Sequence, residues 1–119
     1  MKKPTETSDI IFQAGEIVVV PFPYADVLAE KRRPALVISN QQFNVQHGLV
    51  WVAMITSAGN KAWPTDIELP PAGSGLLAAS RIRISKIATV DTARVQRRIG
   101  KISAKTAKAV AVHLAEILR

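Results

Sequence analysis

The chain contains no cysteine. That removes disulfides, thiolate metal sites and thiol nucleophiles together, and it fits a reducing compartment. Its two histidines, His47 and His113, are far apart in sequence, and there is neither an HExxH pattern nor a carboxylate cluster, which leaves no dedicated metal site. No glycine-rich loop leads into a phosphate-binding lysine, so nucleotide hydrolysis is excluded, and the "GSG" at residues 73–75 reads as a flexible link. No run approaches the roughly 18 uninterrupted apolar residues of a membrane span, and the start "MKKPTETSDIIF" lacks a signal peptide's long apolar middle. The expectation is a soluble, cytoplasmic protein without membrane, metal or cofactor. Acidic residues are also scarce, with 16 Lys or Arg against 9 Asp or Glu, a net charge of +7. Residues 80–108 hold 9 of those cations and Asp91 as the sole acid. A field so one-sided attracts polyanions, so nucleic acid or an acidic protein segment is the natural partner, against the plain alternative of a charged face kept for solubility.

What is present fits one domain: 119 residues, 48% hydrophobic, are enough for a single core and too few for two. Residues 1–13 are polar with a small apolar end and read as a loosely held arm, leaving one domain over residues 14–119. "GEIVVVPF" is short and β-branched, hence a strand, with Pro21 and Pro23 ending it or confining it to a sheet edge. "YADVLAEKRR" reads as a loop, "PALVIS" and "LVWVAMIT" as strands buried on both faces, and "NQQFNVQHG" as a turn or short helical link between them. "DIELP", "RIRIS" and "KIATV" read as further short strands, the first set apart by the loop signal "PAGSG". Helical period occurs at about 103–118, where Ser103 is a good N-cap and Ala107, Val110, Ala111, Leu114, Ile117 and Leu118 share a side. Short strands, turn signals and one terminal helix predict a mainly β fold, a small bent barrel with that helix packed on it.

The positive chemical signal lies at strand ends. Arg33 precedes Pro34, and a residue before proline is pushed into extended conformation, so Arg33 is a positioned cation where Lys31 and Arg32 can belong to a mobile loop. Arg33 opens one strand and Thr56 closes the next, which puts both at the same rim of an antiparallel pair. "RIRIS" adds Arg81, Arg83 and Ser85 on one side, with Ile82 and Ile84 turned to the core. A patch of arginine forks and hydroxyls suits a phosphodiester, because it can stabilise the extra negative charge of a pentacoordinate state. The alternative is that Thr56 caps a strand and the arginines pair with surface acids. His47, beside Gly48, and His113, on the flank of the helix, are read as ordinary surface histidines.

In order along the chain, "GEIVVVPF", "KRRPALVISN", "MITS", "RIRISKIATVD" and "RRIGKIS" before a closing helix resemble the MazF/PemK family of type II toxin–antitoxin toxins. The similarity runs from about Gly15 to the end. It implies an SH3-like (MazF/PemK/CcdB-like) barrel, a homodimer, and a metal-independent endoribonuclease cutting single-stranded RNA at short sequences through attack of the RNA's own 2′-hydroxyl. Its partner would be a cognate antitoxin with an acidic, disordered segment. Carried over by position, Arg33 matches the family's arginine before proline, Thr56 its strand-end threonine, and Arg83 a further catalytic arginine of the PemK branch. Ser57 matches a substrate-contacting hydroxyl, and Lys31, Arg32, Arg81 and Ser85 complete an expected RNA surface. Ser85 is a departure, since the branch has aspartate there and serine is no anionic base at neutral pH; Asp26 and Glu30 are the candidate replacements. That departure keeps a catalytically weak or inactive nucleic-acid-binding module as an alternative. A gyrase-poison-like protein binder is the other, disfavoured because such relatives act through a tryptophan near the helix end and this chain ends "AEILR".

Overall fold

A computed structural model describes residues 10–22 and 31–119. Asp26 and Glu30, with residues 1–9 of the expected arm, lie outside the described residues. In order, the elements are β1 (Glu16–Phe22), β2 (Lys31–Val37), α1 (Gln41–His47), β3 (Leu49–Ser57), β4 (Ile67–Leu69), β5 (Ser80–Asp91), a 3-10 turn (Thr92–Arg94), β6 (Arg97–Lys101) and α2 (Ala104–Ile117). The strands form one antiparallel sheet in the order β4-β5-β3-β2-β1-β6, curled into a half-barrel with the C-terminal helix against it. The fold is therefore of the expected small-barrel class.

Alternating apolar residues give the sheet a core on each face. Phe12, Val18, Val20, Ala35, Val37, Val50, Val52, Met54 and Val90 pack on one face. Ile17, Leu36, Ala53, Ile55, Ile67, Leu69, Ile82 and Ile84 pack on the other, beneath Val110 of α2. Fully burying one such side chain contributes roughly 1.5–3 kcal/mol, which is why β1, β2 and β3 read as near-continuous Val, Ile and Leu. The α2 helix starts at Ser103, whose hydroxyl accepts the Thr106 N–H, and its far end is looser, with Ile117 and Leu118 exposed.

Several local readings change. β1 is an interior strand: β2 flanks Ile17 to Phe22 and β6 flanks Glu16 to Val19. Pro21 is accommodated because β6 has ended before it, leaving no donor required on that side. β2 starts before Arg33, since Lys31 and Arg32 already pair with Phe22 and Pro21. "RIRIS" and "KIATV" are one strand, β5, interrupted by a bulge: Met54 faces Arg83 while Ala53 faces Ile87. β6 lacks the alternation that announces a strand, having one large apolar residue, Ile99, among charges.

Two connections are tighter than their composition suggests. Phe12 is anchored in the core, and its carbonyl accepts a hydrogen bond from the buried Asn44 side chain at 2.9 Å. Asn44 also receives the Ser39 hydroxyl and donates to the Ser39 carbonyl. The "GSG" segment is no loose link: Ser74 is buried, and the Lys101 N–H bonds the Gly73 carbonyl at 3.2 Å. Gly75 has φ +80, and a Cβ there would lie 1.9 Å from the Ile99 carbonyl oxygen, so β6 and this loop meet backbone to backbone.

Candidate nucleic-acid interface

The paired register of β2 and β3 runs Ala35 to Met54, Leu36 to Ala53 and Val37 to Val52. Arg33 and Thr56 each lie two residues beyond the Ala35–Met54 pair, on the face those two residues share. On the far side of β3, Thr56 faces Arg81 and Met54 faces Arg83; on the far side of β2, Arg33 faces Val20. Residues directly opposite, and those two apart along a strand, share a face. Arg33, Thr56, Arg81 and Arg83 therefore project from one face of three strands, where the core of Val20, Ala35 and Met54 runs out.

Arg32 and Ser57 alternate onto the opposite face. Arg32 is exposed and lines a groove with Arg33, Pro34, Leu77, Gln96 and Arg97, and a neighbouring hollow with Arg94 and Val95. Ser57 is exposed, its hydroxyl accepting the Gly59 N–H at 3.2 Å. The fold thus sets Arg33, Thr56, Arg81 and Arg83 on one face and Arg32 and Ser57 on the other, with Arg32 and Arg33 both reaching the groove beside β6. Lys31 lies at the start of β2. Ser85 is exposed within the β5 bulge, where residues 84–86 have no partner on β3.

Residues 58–66, between β3 and β4, fold back over this face and are fixed by it. The Asn60 amide donates to Thr56 Oγ1 at 2.7 Å. Arg81 donates from Nη1 to the carbonyls of Ala58 (2.6 Å) and Asn60 (2.8 Å) and from Nε to Glu68 at 3.2 Å. Arg83, which is buried, gives Asp66 two bonds, Nε to Oδ1 at 3.2 Å and Nη2 to Oδ2 at 2.9 Å. Its Nη2 also donates to the Lys61 carbonyl at 2.8 Å, and its guanidinium carbon sits 4.0 Å from the centroid of Trp63.

Asp66 is the residue that sequence reading missed. Its side chain is 3% exposed. Burial pushes its carboxyl up, but the Arg83 hydrogen bonds, the Trp63 N–H and the charges of Arg83 and Arg81 outweigh that and hold it below the usual aspartate range. Nothing in "NKAWPTDIEL" marks this aspartate as the partner of an arginine 17 residues later, because the pairing depends on how the loop folds back. Pairing with acids also consumes part of the basic excess: Arg81 meets Glu68, Arg83 meets Asp66 and Arg98 meets Glu16. Arg32, Arg94 and Arg97 are exposed around the groove and its neighbouring hollow.

Comparison with known proteins places the chain in a family. Endoribonuclease MazF9 of Mycobacterium tuberculosis is 30% identical over 100 residues, covering 79% of this chain and 85% of that protein. The MazF structure from Deinococcus radiodurans superposes with a TM-score of 0.76 at 27% identity, covering 92% of this chain and 98% of that one. A MazE-MazF structure from the same organism gives 0.70 at 25% identity, covering 92% and 97%. The family described as PemK-like, MazF-like toxin of type II toxin-antitoxin system matches residues 13–118, nearly the whole chain, and this protein belongs to that family.

Proposed function

We propose that the protein is a toxin that cuts single-stranded RNA without a metal, using the substrate's own 2′-oxygen as nucleophile. The observation that carries this reading is that Arg33, Thr56 and Arg81 lie on one sheet face near neighbouring ends of β2, β3 and β5, cations beside a hydroxyl. The 2′-oxygen bonds to the adjacent phosphorus as the bond from phosphorus to the 5′-oxygen breaks, leaving a 2′,3′-cyclic phosphate and a 5′-hydroxyl. The 2′-hydroxyl gives its proton to a base, and the leaving 5′-oxygen takes one from solvent water.

Arg33 stabilises the extra negative charge of the pentacoordinate state, and Thr56 holds the phosphate. Arginine keeps its proton at any physiological pH, so the role of Arg33 is electrostatic and not that of the acid. Arg83 contributes at one remove. Its charge is matched by Asp66, so it fixes the loop over residues 58–66 instead of meeting the phosphate alone. Asp66 is a poor base for the 2′-hydroxyl, being buried and held at low pKa. The base is assigned to Asp26 or Glu30, in the segment leading to Arg33. The active unit is a homodimer, and the cognate antitoxin covers the same cationic face with an acidic segment that folds on binding.

The test is to incubate a long RNA with the purified protein with and without EDTA. Cuts that persist in EDTA, with 5′-hydroxyl ends, support the reading. One observation favours a second reading, an inert RNA-binding module: Arg83 is already neutralised by Asp66 and Ser85 offers no anion. RNA retained without cuts would select that module.

A further inference from the structure

The loop clasped by Arg83 also carries an indole whose position is unusually well fixed for a surface ring. The Trp63 backbone N–H donates to Asp66 Oδ2 at 2.9 Å, and the Asp66 backbone N–H returns to the Trp63 carbonyl at 3.1 Å. The Arg83 guanidinium stacks on the ring at 4.0 Å and the Lys86 ammonium lies 5.9 Å from its centroid. One ion pair, Arg83 with Asp66, thus holds both the ring and its backbone. Even so, Trp63 is 41% exposed. A ring serving only to cover the ion pair would be buried against it, whereas this one presents aromatic surface to solvent beside a cation. Three residues before it, Asn60 is bonded to Thr56, so the loop is tied directly to the row that meets the scissile phosphate.

We infer that Trp63 is a stacking platform for one nucleobase of single-stranded RNA, with Lys86 at an adjoining phosphate; this rests on the RNA reading above. Every base has a π-face, so such a platform contributes affinity and sets which nucleotide lies over Thr56, with little preference among bases. Because Arg83 and Asp66 have already ordered the ring, stacking immobilises no free side chain. Trp51, the other tryptophan, alternates onto the opposite sheet face and packs beside Phe43 of α1, 5.1 Å between ring centroids, which makes it a usable control.

The experiment uses full-length Arg33→Ala, Trp51→Phe protein, in which Trp63 is the only tryptophan and RNA is left intact. Short fluorophore-labelled single-stranded RNA is titrated while its anisotropy and the Trp63 emission are followed. Quenching of Trp63 that saturates with the anisotropy is expected, as is a loss of about tenfold or more in affinity for Trp63→Ala, with most affinity kept by Trp63→Phe. An abasic scan of the RNA should reproduce that loss at one position, with no further loss there in Trp63→Ala. Saturating anisotropy with unchanged Trp63 emission and no sensitive abasic position would overturn the platform while leaving RNA binding intact. Those readouts decide the matter even if Trp63→Ala folds poorly. Absence of any RNA binding, by contrast, would remove the RNA reading and the platform with it.

Discussion

Arg83 and Asp66 stand 17 residues apart in sequence and meet through two hydrogen bonds, their side chains 8% and 3% exposed. This pair ties the loop over residues 58–66 to β5 and makes the loop part of the site.

Replacing Asp66 by Asn leaves the Arg83 charge buried and uncompensated, a loss of about 3–5 kcal/mol for a buried pair. The effect is pH dependent with a definite sign. The Asp66 pKa is lower folded than unfolded, so its contribution is fully present above the unfolded aspartate value, near 4, and is lost as pH falls through the folded value. Urea unfolding of wild type and Asp66→Asn at several pH values should show a gap at neutral pH that narrows steadily below about pH 4. A gap independent of pH would mean the ion pair is not its cause.

The close approach of the "GSG" loop to β6 is testable with two alanines. Gly73 and Gly75 both have positive φ, +75 and +80, but a Cβ at Gly73 meets nothing within 4 Å while one at Gly75 strikes Ile99. Gly73→Ala should show only the backbone strain, about 1 kcal/mol, and Gly75→Ala clearly more, by displacing the edge strand. Equal chemical-denaturation midpoints for the two variants would contradict the contact.

The exposed groove cations act by charge and not by chemistry. Arg32→Ala and Arg97→Ala should each weaken RNA binding across sequences and lower the slope of log K against log salt by roughly 0.7–1, one phosphate contact each. Cleavage at saturating RNA should stay within a few-fold of wild type, whereas Arg33→Ala should lose roughly 10²–10³ in rate, as for removal of one preorganised donor. Equal, small losses at Arg32 and Arg33 would refute their separate roles. Paired titrations of binding and single-turnover rate make the comparison.

What the sequence made legible was local. Pro34 fixed the conformation of Arg33, β-branched runs announced β1 to β3, and Ser103 marked the start of α2 where its hydroxyl bonds Thr106. The antiparallel logic that set Arg33 and Thr56 at one rim needed only two strand ends. The rest depends on tertiary arrangement. Alternation sends Arg32 away from Arg33, but that follows only once β2 is known to start before both. The charged β6 becomes a strand because β1 offers it hydrogen bonds, not because its own residues favour one. Gly75 looks flexible on paper and is needed for a close backbone contact with Ile99. Asp66 and Trp63 gain their roles only when a loop without regular structure folds back onto Arg83.

The central claim, that the RNA supplies its own nucleophile on the Arg33 and Thr56 row, is tested most directly by changing one atom of the substrate. Once a cut site is mapped, the same RNA is made with hydrogen in place of the 2′-hydroxyl on the nucleotide 5′ to the scissile phosphate. Single-turnover cleavage of the two RNAs is then compared in EDTA. The account predicts that the hydroxyl-bearing RNA is cut to a 2′,3′-cyclic phosphate and that the deoxy-substituted RNA survives at that site. Cleavage of both at the same rate would contradict it, because the nucleophile would then have to come from elsewhere.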